Sequence, residues 1–92
     1  MEVSSSTATV LEQVAEERQR QDAKWGQQSH HPAMWFAILT EEVGELATAI
    51  ITDVYGSAQQ RNVKTIYEEA IQVAAVAVAL CEYLRRTEAG DA

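Results

Sequence analysis

Two pairs of oxygen-bearing residues sit where a helical protein would normally place hydrocarbon. Wound as a helix at about 100° per residue, the segment after Pro32 puts Trp35, Phe36, Leu39, Val43, Leu46, Ile50 and Val54 on one apolar stripe. Glu42 falls inside that stripe, Glu45 lies at its edge and Glu41 turns toward solvent. A later helix repeats the pattern with Ile66, Val73, Val76, Ala77, Leu80 and Leu84. There Glu69 falls inside the stripe, Gln72 lies one turn on near the edge, and Glu68 points outward. An unpaired buried carboxylate either costs several kcal/mol or takes up a proton. The chain has only seven cationic side chains, Lys24, Lys64 and five arginines, and none lies on these stripes. A hard divalent cation with oxygen ligands resolves the conflict. Residues at i and i+3 face the same way, so Glu42 with Glu45 and Glu69 with Gln72 form two oxygen pairs. Bundles build metal sites from such inward carboxylates on facing helices. For any single glutamate a solvated rim position is the simpler explanation; matched positions on two helices favour metal.

Three helices are needed to position these groups. The first starts near Thr7 or Thr9, either of which can cap it, and ends at Trp25-Gly26 with glycine as its left-handed cap. Residues 26–31 read as a loop. Pro32 suits the first turn of the second helix, which runs to about Asp53 with Gly44 as its one weak point. Residues 55–62 form a connection with Gly56 at the turn, and the third helix runs from about Val63 to Arg86. The expected organisation is a tail over 1–7, a helical domain over 8–86 and a tail over 87–92. The fold class is all-α, an antiparallel bundle of three main helices. From Ala70 to Leu80 the third helix is apolar nearly all round and must be covered on several sides. Two partner helices of one small chain can hardly do so, which predicts completion by oligomerisation, as a homodimer or tetramer.

Composition excludes several classes. Ninety-two residues make one domain, which hides roughly 60–68% of its unfolded surface when folded alone. One Pro and four Gly are too few turn formers for a many-stranded β protein. The net charge of −7 opposes a nucleic-acid polymer as partner. It does not oppose a nucleotide, because a bound cation inverts the local sign. No stretch approaches the roughly 18–20 apolar residues of a membrane span, so no membrane partner is expected. Residues 1–10 lack the basic start and apolar core of a secretory signal, so the expected compartment is the cytoplasm. Cys81, the single cysteine, cannot form an intrachain disulfide and reads as a small buried hydrophobe.

The same residues carry a resemblance. EEVGELATAI, Glu41 to Ile50, resembles the first signature of the all-α nucleoside triphosphate pyrophosphohydrolases, the superfamily of the MazG-like proteins and the dimeric dUTPases. Those proteins carry Glu-x-x-Glu on one helix and Glu-x-x-Asp on a later one. Here the pairs are Glu42-x-x-Glu45 and, within EEAIQ, Glu69-x-x-Gln72. With ERQRQDAKWGQQSHHPAMWF before them and VAAVAVALCEYL after, the likeness to a small phage- and cassette-type MazG-like subgroup covers roughly residues 16–86. It implies hydrolysis of a nucleoside triphosphate, deoxy or non-standard, to the monophosphate and pyrophosphate, with Mg2+ (or Mn2+) held by Glu42, Glu45 and Glu69. Glu41 would orient or deprotonate the attacking water, placing Glu41 and Glu42 at the chemistry. Gln72 stands where the superfamily has Asp, and its amide oxygen is a weaker ligand for a hard cation. Glu68 or Glu41 can supply an extra ligand.

Other residues have two readings each. Lys24 can contact phosphate and Trp25 can stack on a base, or Trp25 simply closes the bundle end. His30 and His31 lack zinc spacing and suit solvent or a substrate rim. Trp35 and Phe36 read as core. Arg61 and Lys64 open the third helix within reach of a triphosphate, although a solvated connection explains them as well. Two competing functions share these residues: a non-catalytic helical dimerisation module and a dUTP-restricted hydrolase.

Overall fold

Ser4, three residues ahead of the earliest predicted cap, starts the first helix. Its Oγ accepts the backbone N–H of Thr7 at 3.0 Å, satisfying one of the four donors that a helix start leaves free. The computed structural model describes residues 2–56 and 63–88, with the side chains of residues 63 and 64 outside the description. Within it α1 spans Ser5–Trp25, α2 Pro32–Tyr55 and α3 Val63–Glu88. The tail predicted over 1–7 is thus partly helical, α2 and α3 each run two residues past their predicted ends, and the remaining ends stand where predicted. Gly26 closes α1 at φ 73°, a backbone region that side chains with a Cβ resist. Its N–H donates to the Asp22 carbonyl at 2.8 Å. His31 opens α2: Nδ1 accepts the Ala33 N–H at 3.1 Å, and Pro32 occupies the first turn, where its missing donor matters least. Arg85 and Arg86 lie in the last turn of α3, on the side the helix dipole favours. The connection predicted beyond Gly56, including Arg61, lies outside the described residues.

The chain folds around α3. Helices α1 and α2 each pack against it, while their backbones do not meet each other. Between α2 and α3 lies the core of Trp35, Val76 and Ala79, with Ile38, Leu39, Leu80 and Tyr83 packed on it. Trp35 is the only fully buried large side chain among the described residues. It meets His30 edge-on at 4.9 Å between ring centres and Tyr83 at 5.9 Å, within the range of favourable aromatic pairs. Ala75 and Val14 are buried as well; small residues on α3 let both neighbours approach closely.

Three polar contacts hold the N-terminal half to α3. Arg18 Nε donates to Glu82 at 2.7 Å, and its terminal nitrogens donate to Gln21 and Asp22, each at 2.9 Å. Arg86 donates to the Gln28 carbonyl at 2.8 Å, fixing the loop that leads into α2. Tyr67 donates to Gln13.

Three expectations need correction. Phe36 is 72% exposed, not core, and Val43, Ile50, Val54 and Leu84 are also exposed. Helix α2 has one neighbour within the chain, so only half of its apolar stripe is covered. Cys81 is exposed, because it lies on a side of α3 that neither helix reaches. Finally, α1 and α2 do cover two sides of the all-round apolar stretch of α3; its third side, with Ala70 and Val78, stays open.

Candidate metal centre

One turn of α2 and one turn of α3 bring the glutamates together. Glu42 and Glu45 stand at i and i+3 on α2, and Glu69 faces them from α3. One carboxylate oxygen of each lies within 4.8 Å of the other two. The ion pairs formed by Arg18 and Arg20 engage Asp22, Glu82 and Glu17 instead. Glu42 Oε2 and Glu69 Oε2 are buried without a hydrogen-bond partner. Desolvation raises the Glu42 carboxyl above the usual range, and the charges of Glu45, Glu69, Glu41 and Glu17 push it further. Glu69 is raised by desolvation, by the charge of Glu45, by a hydrogen bond to Glu45 that only the protonated form can donate, and by Glu68. Burial and like charge thus act in the same direction on both.

The donor set fits a hard divalent cation. Oxygens around Mg2+ stand about 2.0–2.1 Å from the ion and hence at most about 4.2 Å apart. Small rotations of three flexible side chains close the difference. The two orphaned oxygens are the groups such an ion would satisfy.

The centre lies between two hollows. Glu45 and Glu69, with the exposed Glu41, line one of about 700 Å³. Glu42 and Gln72 line another of about 560 Å³, together with Trp25, His30 and Trp35. Glu42, Glu45 and Glu69 therefore converge as the spacing predicts. Gln72 joins Glu42 at a shared cavity wall, and Glu41 stands at the rim of the other hollow. Trp25 is mostly exposed yet lines the aromatic cavity, and Lys24 places its ammonium 4.6 Å from the centre of that ring. Arg61 lies outside the described residues, as does the side chain of Lys64.

Glu17 and Gln21 escaped the sequence reading. Both are buried, Glu17 bonded to Arg20 and Gln21 lining the aromatic cavity. The signal was present: Val14, Glu17 and Gln21 recur at three- and four-residue spacing. Their polar types point to solvent, whereas their spacing from Val14 points inward, and the spacing decides.

A pH dependence follows. Raised carboxyl pKa values mean that the folded state binds more protons than the unfolded one. Their contribution to stability is present below the unfolded glutamate value, about 4.3, and is lost as pH rises through the folded values. The melting temperature of the metal-free protein is expected to fall between about pH 4 and neutrality, and saturating Mg2+ should flatten that fall. Melting curves with and without chelator check this; a metal-free protein that gains stability over that window contradicts it.

No protein-family model matches this chain, and no curated protein and no solved structure matches it either.

Proposed function

We propose that the protein is a Mg2+-dependent nucleoside triphosphate pyrophosphohydrolase of the MazG-like kind, working as an antiparallel bundle completed by at least a second copy. One observation carries the reading. Three carboxylates from two helices converge within 4.8 Å with two buried oxygens left unpartnered, on the residues that resemble the family's signature. Glu42, Glu45 and Glu69 would hold the cation, and the Gln72 amide oxygen would be a further ligand. An ion bound there would supply positive charge for the polyphosphate and for the charge developing on its oxygens.

The chain's own groups do the rest. Glu41, exposed at the rim of the larger hollow, accepts a proton from the water that attacks the α-phosphorus. The new oxygen–phosphorus bond forms as the bond to the β-phosphate bridging oxygen breaks, which releases the monophosphate and pyrophosphate. Lys24 and Trp25 stand where α1 ends, beside the second cavity, and contact the nucleotide. Arg61 and Lys64 contribute charge toward the triphosphate. Substrates are deoxy or non-standard nucleotides, and the role is removal of unwanted triphosphates in the cytoplasm.

The exposed stripe of Phe36, Val43, Ile50 and Val54 supports assembly, and it equally favours a second reading, a helical dimerisation module without catalysis. A pyrophosphate-release screen over canonical and modified nucleoside triphosphates, with Mg2+ and with chelator, separates them. The enzyme reading expects pyrophosphate with at least one substrate and none with chelator. A protein that runs as a dimer in light scattering and releases no pyrophosphate from any of them is the module.

A further inference from the structure

Glu17 of α1 is a carboxylate whose burial its ion pair does not explain. It is 7% exposed, and glutamate is almost never buried so far unless something there requires its charge. Arg20 donates to it from one turn further along the same helix. Pairs at i and i+3 form on open helix surfaces and need neither group buried. Here the Arg20 side chain stays 66% exposed while that of Glu17 is withdrawn to 9%. Both bonds from Arg20 fall on Oε1. The pair therefore uses one oxygen of a group with about four acceptor positions.

The surroundings of Glu17 lead to the metal centre. With Gln72 it lines a hollow of about 390 Å³ between α1 and α3. Gln72 also lines the hollow that Glu42 lines, so one uncharged side chain of α3 shares a wall with each carboxylate. The Glu42 carboxyl is raised by desolvation first and then by neighbouring charges, that of Glu17 among them. Glu17 is not one of the three carboxylates with oxygens within 4.8 Å of one another, so it stands outside the direct ligand set. A carboxylate in that position still acts on Mg2+, which keeps several of its waters and whose affinity depends on the charge gathered around it. Partners outside the direct ligands change metal affinity by about 10–100-fold.

We propose that Glu17 is a fourth carboxylate of the metal centre, one that adds negative charge from α1 on the Gln72 side and acts on the divalent cation through water rather than by direct contact. The proposal rests on the reading that Glu42, Glu45 and Glu69 bind such a cation. It gives α1 a part in a centre whose direct ligands all lie on α2 and α3. In the metal-free protein the exposed Arg20 compensates the charge of Glu17. An ion pair kept only for folding would serve stability alone, and the two roles differ in what they predict for metal affinity.

Calorimetric titration of Mg2+ at neutral pH reads the effect without any substrate. Glu17→Gln is nearly isosteric and should raise the Mg2+ Kd at least about tenfold. Glu16, its neighbour in the chain, is exposed. Glu16→Gln removes the same charge and should leave the Kd within about twofold, because exposed charges are screened by salt. Adding Gln72→Glu to Glu17→Gln returns a carboxylate to the same hollow from α3 and should restore most of the lost affinity. Melting curves in chelator read the structural side. A pair kept only for folding predicts a lower melting temperature in Glu17→Gln with the Mg2+ Kd unchanged. Circular dichroism checks folding; if Glu17→Gln does not fold, Glu17→Met, with similar length and helix propensity, takes its place with the same expected loss. An unchanged Kd in the folded Glu17 variant, a loss equalled by Glu16→Gln, or no recovery on adding Gln72→Glu overturns the role of Glu17 and leaves the three-glutamate centre standing. No saturable Mg2+ binding by the wild type removes the centre and the proposal with it.

Discussion

Glu42→Gln and Glu69→Gln should each lower pyrophosphate release by at least about 100-fold, because groups that merely orient a metal ligand already contribute about 10–100-fold. Both swaps are nearly isosteric and remove one of three converging charges. Metal-free stability should therefore move the other way, upward. Like charges about 4 Å apart repel by about 1 kcal/mol even in water, which corresponds to roughly 4–8 °C in melting temperature for a domain of this size. Loss of activity together with a gain in metal-free stability separates a functional site from a structural one. A glutamate kept for folding would lose both. Steady-state assays and melting curves in chelator measure the two sides; either variant keeping wild-type activity removes its glutamate from the site.

Trp35→Ala carries the largest expected effect on stability. Truncating a buried tryptophan costs about 3–5 kcal/mol, a large part of the roughly 5–15 kcal/mol that holds a typical domain. Here the ring joins α2 to α3 beside Val76 and Ala79 and also meets His30 and Tyr83, so its loss loosens the wall of the aromatic cavity too. Urea unfolding followed by circular dichroism should show the midpoint falling steeply, with Trp35→Phe between the two. A Trp35→Ala protein within about 1 kcal/mol of wild type would place the core elsewhere, since losses that small are ordinary at surface positions.

The three helices were legible because their punctuation is local: Gly26 and Pro32 bracket the first loop, and both act there through backbone chemistry. The glutamates were legible because helical periodicity places Glu42 and Glu69 among hydrocarbons whatever the rest of the chain does. What sequence could not supply was which helix packs on which. Phe36 and Trp35 are adjacent and similar, yet one faces solvent and the other is the centre of the core, a difference set by α2 having a single neighbour. Gln21 illustrates the reverse error. Its polar side chain reads as solvated, but α1 turns it inward, where Arg18 meets it. Cys81, expected to be buried, lies on the uncovered side of α3 for the same reason that much of the α2 stripe is open.

The central claim is that Glu42, Glu45 and Glu69 together hold one divalent cation. Calorimetric titration of Mg2+ into the wild-type protein at neutral pH, repeated in two buffers of different ionisation enthalpy, tests it most directly. Metal binding displaces protons from ligands that would otherwise carry them, and burial and mutual repulsion raise Glu42 and Glu69 toward carrying them. Saturable binding is expected, with a heat that differs between the buffers because protons are released, and with both the binding and the buffer dependence lost in Glu42→Gln. No saturable heat in the wild type, or an isotherm that Glu42→Gln, Glu45→Gln and Glu69→Gln all leave unchanged, would contradict it.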